Sequence, residues 1–212
     1  MHRLITSTLA IATLATVGCI RPDGAKKTLP GKELFAACAS CHGETGTGQA
    51  NIAAPNIAGL PAWYVEAQLV KYRSGARGNH PEDLEGLRMR PMSRQMMDEA
   101  EVKAVSAYVA TLPAVKQAPS VQGGDASAGA AAYATCLACH GDKGQGNQAL
   151  NAPPLAGQYD WYLVNQLKKF KAGVRGANPA DITGGQMRPM SMTLADEQAM
   201  KNVVAHISTF SR

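Results

Sequence analysis

Two stretches of the chain carry apolar residues at helical spacing and stop at a glycine: AWYVEAQLVKYRSG, ending at Gly75, and DWYLVNQLKKFKAG, ending at Gly173. Apolar side chains three and four positions apart form one face of a helix, and a glycine just past the last turn supplies a cap. Both stretches are predicted helices. Two shorter segments, GKELFAAC and GAAAYATC, lead into cysteine pairs as short helices and put Phe35 and Tyr133 at equivalent positions. A last pair begins at Asp98-Glu99 and Asp196-Glu197, where carboxylates suit the positive end of a helix dipole. Their apolar stripes are Val102, Val105, Val109 and Leu112 in one case, and Met200, Val203, Ile207 and Phe210 in the other. No run alternates apolar and polar residues convincingly, so the fold class is all-α.

These elements come in pairs because the chain repeats itself. An offset of 98 residues aligns residues 31–112 with 129–210 without a gap. CASCHGETGTGQ from Cys38 returns as CLACHGDKGQGN from Cys136, and Trp63, Tyr64, Gln68, Gly75, Arg77 and Met89 to Ser93 recur with it. A match of this length is duplication of a whole folding unit. Between the copies lies PAVKQAPSVQGGDAS, rich in Pro, Gly, Ser and Gln, which reads as an extended linker. The expected organisation is one domain over residues 29–114, a linker over 115–126 and a second domain over 127–212.

The 212 residues thus divide into two small units with only 5% aromatic residues, and domains of that size usually need an added staple. The formal charge of +5 is spread without a dense basic run or any nucleic-acid motif, which argues against nucleic acid as a partner. At the start, a basic residue precedes an apolar run from Leu4 to Val17 that falls short of the roughly 20 apolar residues of a spanning helix. Residues 1–18 therefore read as an export signal and 19–28 as an N-terminal tether, which puts the mature protein in the periplasm. TVGC ending at Cys19 offers a lipidation site, with Thr16 where Leu is usual; the alternative is ordinary cleavage between there and Ala25.

The chemistry lies in Cys-x-x-Cys-His, present as Cys38, Cys41, His42 and as Cys136, Cys139, His140. This is the attachment motif of c-type haem: each thiol forms a thioether with a haem vinyl group, and the adjacent imidazole meets one face of the iron. A thioredoxin-like dithiol wants a βαβ context that is missing. A zinc site would join cysteine pairs across 98 residues and leave both histidines unexplained. Two covalent haem c groups also supply the apolar bulk the aromatic content lacks. The sixth iron position decides between carrying electrons and binding a small molecule. Its candidates are the two MRPMS segments, Met89 to Ser93 and Met187 to Ser191, each starting 47 residues after its histidine and expected in a proline-containing loop. From chemistry alone either methionine of each pair can serve, with Met92 and Met190 read as core packing. His80 is matched by Asn178 and His206 by Tyr108, so neither recurs as a ligand would.

With CxxCHG, APNIAG and APPLAG, the two tryptophan-containing helices, MRPM and the final helix in this order twice over, the sequence resembles the tandem dihaem c-type cytochromes, closest to cytochrome c4. The resemblance implies two tandem class I cytochrome c domains related by duplication, packed about a pseudo-twofold axis. It selects Met89 and Met187 as axial ligands opposite His42 and His140, although the Ser usual at the start of the last helix is absent from both copies. It also implies that the carbonyls of Pro55 and Pro153 accept a hydrogen bond from the ligand histidines. Arg77 and Arg175 are expected to pair with haem propionates or with the other domain. The implied role is single-electron transfer between a quinol-oxidising complex and a terminal oxidase or reductase, by a monomer or a subunit of a larger complex. One alternative is a subunit accepting electrons from a partner dehydrogenase; the other is a dihaem enzyme, a peroxidase or a thiosulfate-oxidising one, which the symmetrical MRPM pair disfavours.

Overall fold

A computed structural model describes residues 28–211; the export signal and Cys19 lie outside the described residues. Eight α-helices follow in two sets of four: α1 (Gly31–His42), α2 (Ala62–Ser74), α3 (Leu84–Ser93) and α4 (Glu99–Thr111), then α5 (Ala126–His140), α6 (Asp160–Lys171), α7 (Ile182–Met192) and α8 (Glu197–Ile207). Among the described residues there is no β-strand, only isolated bridges between Gln49 and Ala54 and between Asn147 and Ala152.

In each half the first and last helices cross closely, and a glycine sets the distance. A Cβ on Gly31 would lie 2.1 Å from the carbonyl oxygen of Ala104 in α4, and one on Gly129 would lie 1.9 Å from that of Asn202 in α8. Beside the crossings sit ring contacts, Phe35 with Tyr108 at 5.3 Å and Tyr133 with Phe210 at 5.3 Å. Asp98 and Asp196 start α4 and α8 as N-caps, accepting the N–H of Glu101 at 2.9 Å and of Ala199 at 2.8 Å. Each half has its own apolar core. One gathers Phe35, Leu69, Met96, Val102, Val105 and Val109; the other gathers Tyr133, Leu163, Val164, Met200, Val203 and Ile207.

One expectation is corrected. The MRPMS segments are not loops: Met89 lies in α3 and Met187 in α7, with Pro91 and Pro189 inside the helices. Both helices are short, end within three residues of the proline, and expose the apolar residues at their start: Leu84 is 66% and Ile182 72% exposed. They stand because Asp83 and Asp181 cap them, each accepting the N–H three residues on at 3.1 Å.

The halves meet through α2 and α6 in contacts that repeat with roles exchanged, as a twofold axis requires. Lys71 pairs with Asp181 at 2.6 Å and Lys169 with Asp83 at 2.5 Å. Arg77 reaches Gln166 at 3.2 Å and Arg175 reaches Gln68 at 3.3 Å. Asn56, fully buried, breaks the symmetry: it exchanges bonds with Gln158 and donates to the carbonyls of Gly157 and Val115. The connecting segment is pinned to the second half, where Asp160 accepts the N–H of Ser120 at 2.5 Å and of Val121 at 2.6 Å.

Candidate functional site

The last turn of α1 carries Cys38, Cys41 and His42, and that of α5 carries Cys136, Cys139 and His140. None of these four cysteines is paired in a disulfide. After each histidine the chain turns at a glycine with φ near +80°, Gly43 and Gly141, and folds back. The Gly46 carbonyl takes the N–H groups of Ile57 and Ala58, and the Gly144 carbonyl those of Leu155 and Ala156, which holds the Pro55 and Pro153 loops against the helix ends.

As a result, Nδ1 of His42 lies 2.8 Å from the Pro55 carbonyl oxygen, and Nδ1 of His140 lies 2.8 Å from that of Pro153. A carbonyl only accepts, so Nδ1 donates and each ring presents the bare lone pair of Nε2. Burial pushes both histidines below their ordinary pKa, against the opposing effect of the proline carbonyl, and so favours the neutral ring that can ligate iron.

Both motifs open on one continuous cavity. Its walls are largely apolar, with Leu60, Leu69 and Val109 on one side and Leu163, Val203 and Ile207 on the other. Met89 and Met187 line it, as do Met92 and Met190, while the Met92 sulfur also lies 3.5 Å from the Gln95 amide nitrogen. Met89 and Met92 are half-buried, while Met190 is 39% exposed. His206 is held by packing against Tyr133 and Phe210.

The residues fit haem c on three counts. Burial, then the neighbouring Cys41, pushes the Cys38 thiol up to about 11, and burial pushes Cys136 up as well; such sites favour uncharged sulfur, which a thioether is and a metal thiolate is not. Among the described residues no group of three His, Cys, Asp or Glu forms a metal cage, as a zinc site would need. Finally, Arg77 and Arg175 line the cavity with Nε buried and unpartnered, donors suited to propionate carboxylates. One terminal nitrogen of each arginine donates to a glutamine of its own half, Arg77 to Gln68 at 2.7 Å and Arg175 to Gln166 at 2.6 Å, and the other donates across the domain interface, so each arginine faces the cavity and the other domain at once.

Sequence reasoning passed over Lys71, Asp83, Lys169 and Asp181. Each reads singly as a solvated surface charge, yet all four are buried or nearly so at the interface. The available signal was their recurrence, since a lysine and an aspartate return unchanged at the 98-residue offset.

A pair of helical units, each presenting Cys-x-x-Cys-His to an apolar cavity, defines a c-type cytochrome with two haem domains. Comparison with known proteins agrees. The cytochrome c family model matches residues 29–113 and again 126–211, and the chain belongs to that family, with the cytochrome c domain present twice in tandem. It is 37% identical over 166 residues to a thiosulfate dehydrogenase electron acceptor of Stutzerimonas stutzeri (strain A1501), covering 73% of this chain and 72% of the relative. It is 32% identical over 181 residues to the cbb3-type cytochrome c oxidase subunit FixP of Bradyrhizobium sp. (strain ORS 278), covering 80% of this chain and 60% of that one. The structure of cytochrome c4 from Acidithiobacillus ferrooxidans superposes with a TM-score of 0.64 at 28% identity, over 82% of this chain and 99% of the other. The protein therefore carries two covalently bound haem c groups, one at Cys38, Cys41 and His42 and one at Cys136, Cys139 and His140, and is an electron-transfer protein rather than an enzyme. Its partners are redox proteins.

Proposed function

We propose that the protein is a periplasmic shuttle that takes single electrons from a partner dehydrogenase and passes them to a terminal oxidase. Its axial pairs are His42 with Met89 and His140 with Met187. The observation that carries this reading is the twofold occurrence of one arrangement: a histidine oriented by a proline carbonyl, and a methionine-bearing helix on the wall of the same cavity. Haem bound there supplies a one-electron iron couple. The protein's own contribution is to close both axial positions, so that a change of oxidation state needs little rearrangement. Pro55 and Pro153 set the histidine rings, and the free Nε groups of Arg77 and Arg175 take propionates.

The sequence put a quinol-oxidising complex first as donor. The Stutzerimonas relative, named for accepting electrons from thiosulfate dehydrogenase, supports a dehydrogenase instead, and the FixP relative supports an oxidase downstream. Export, with lipidation of Cys19 as the membrane tether, completes the reading; an unmodified mature N-terminus downstream of Cys19 by mass spectrometry removes the tether. No helix among the described residues is long and apolar enough to cross a membrane.

The donor is tested by rapid mixing of the oxidised protein with a thiosulfate dehydrogenase and thiosulfate. Full reduction within the turnover time of the dehydrogenase is expected. Reduction by a quinol-oxidising complex alone would restore the first expectation.

A further inference from the structure

Asp83 makes two contacts with one oxygen. Its Oδ1 accepts the N–H of Gly86 at 3.1 Å, closing the first turn of α3, and the same oxygen receives Nζ of Lys169 from the other half at 2.5 Å. Asp181 repeats the arrangement, with Gly184 N–H at 3.1 Å and Nζ of Lys71 at 2.6 Å. These groups are withdrawn from water: Asp83 is 3%, Asp181 1% and Lys169 8% exposed. An N-cap fixes where a helix begins, and a buried carboxylate keeps its place only while its counter-charge is present. The two helices held in this way are the ones that carry Met89 and Met187.

We propose that Lys169 and Lys71 are positioning residues that act across the domain interface. Lys169 of the second half places Met89 at the first haem, and Lys71 of the first half places Met187 at the second. The proposal rests on the reading of these methionines as axial ligands. Each iron site is thereby steadied by the opposite domain, so a displacement at the interface loosens methionine on both sides. The two devices are unequal. Lys169 also binds Glu85 at 2.5 Å, whereas the equivalent place beside Lys71 holds the Thr183 hydroxyl. Removing Lys169 leaves two carboxylates facing each other; removing Lys71 leaves one.

The test uses the haem-loaded protein and imidazole, which competes with methionine sulfur for ferric haem. Binding is followed by loss of the weak red charge-transfer band of methionine-bound iron. In a Met187→Ala background the remaining band reports Met89 alone. There Lys169→Met is expected to raise imidazole affinity about tenfold, while Lys71→Met leaves it within about twofold. In a Met89→Ala background the order reverses, with a smaller rise for Lys71→Met. If both lysines act equally on each haem, or act only on the haem of their own half, or have no effect, the proposal fails. Lys169→Arg, which keeps the counter-charge beside the Asp83 cap, should hold affinity near the parent value; an affinity as high as that of Lys169→Met would also overturn the proposal. A parent protein without two methionine equivalents of the band contradicts the ligand assignment itself, before any lysine is changed.

Discussion

The two halves of the molecule repeat most of the groups that face the cavity and each other, and differ at Asn56, at Glu85 against Thr183 and where they meet the connecting segment. Histidine, proline and arginine recur at the 98-residue offset, as do the lysine and aspartate of the interface. The contacts recur with them: 2.8 Å from histidine to proline carbonyl in both copies, and cross-domain ion pairs at 2.6 and 2.5 Å. Ala62, by contrast, becomes Asp160, whose carboxylate gathers the N–H groups of Ser120 and Val121 and ties the connecting segment down. Phe35 becomes Tyr133, whose hydroxyl donates to the Gly141 carbonyl at 2.7 Å. Duplication supplies two similar sites and a largely self-complementary interface, and the divergence at Asp160 serves a feature that only one copy has, the preceding connecting segment.

If the halves are independent folding units with equal sites, removing one haem should leave the other intact. Cys38→Ser with Cys41→Ser is expected to lower haem content from two per chain to one, measured as the pyridine haemochrome, and to unfold the first half because its core loses its largest apolar body. A loss of both haems would show that the second half depends on the first.

Asp160 sharpens the contrast through pH. Burial alone would raise its pKa, but the N–H groups of Val121 and Ser120 outweigh it and hold the carboxyl below its ordinary value. A depressed folded-state pKa contributes stability that is complete above the unfolded value, about pH 4, and is lost as pH falls through the folded value. Asp160→Asn should cost about 2 kcal/mol at neutral pH. It should also flatten the acid limb of the thermal midpoint, whereas Ala62→Ser in the first half should change neither. The smallest effect belongs to Tyr133→Phe, which installs the first half's residue in the second. The loss of one hydrogen bond predicts about 1 kcal/mol by denaturant unfolding, with haem content unchanged.

Helices α1, α2 and α4 and their counterparts were legible because each carries an apolar face or a terminal signal. α3 and α7 were not, since LEGLRMRPMS and ITGGQMRPMS have no apolar stripe and contain proline; their support is a capping aspartate several residues upstream of the methionine. The haem attachment residues were readable because thioether chemistry demands one spacing. The interface was not, because a lysine whose partner lies in the other copy looks like any surface lysine until the two copies are folded against each other. The arginines lay between these cases: their recurrence pointed to a role, and only the fold shows that the cavity and the opposite domain share them.

The central claim, two equivalent and closed iron sites, is tested most directly by the red charge-transfer band of the oxidised protein, scaled to haem content. The account predicts two methionine equivalents, one lost in Met89→Ala, one in Met187→Ala and both in the double substitution. A single equivalent, or none, would contradict it and point to an iron left open for a small ligand.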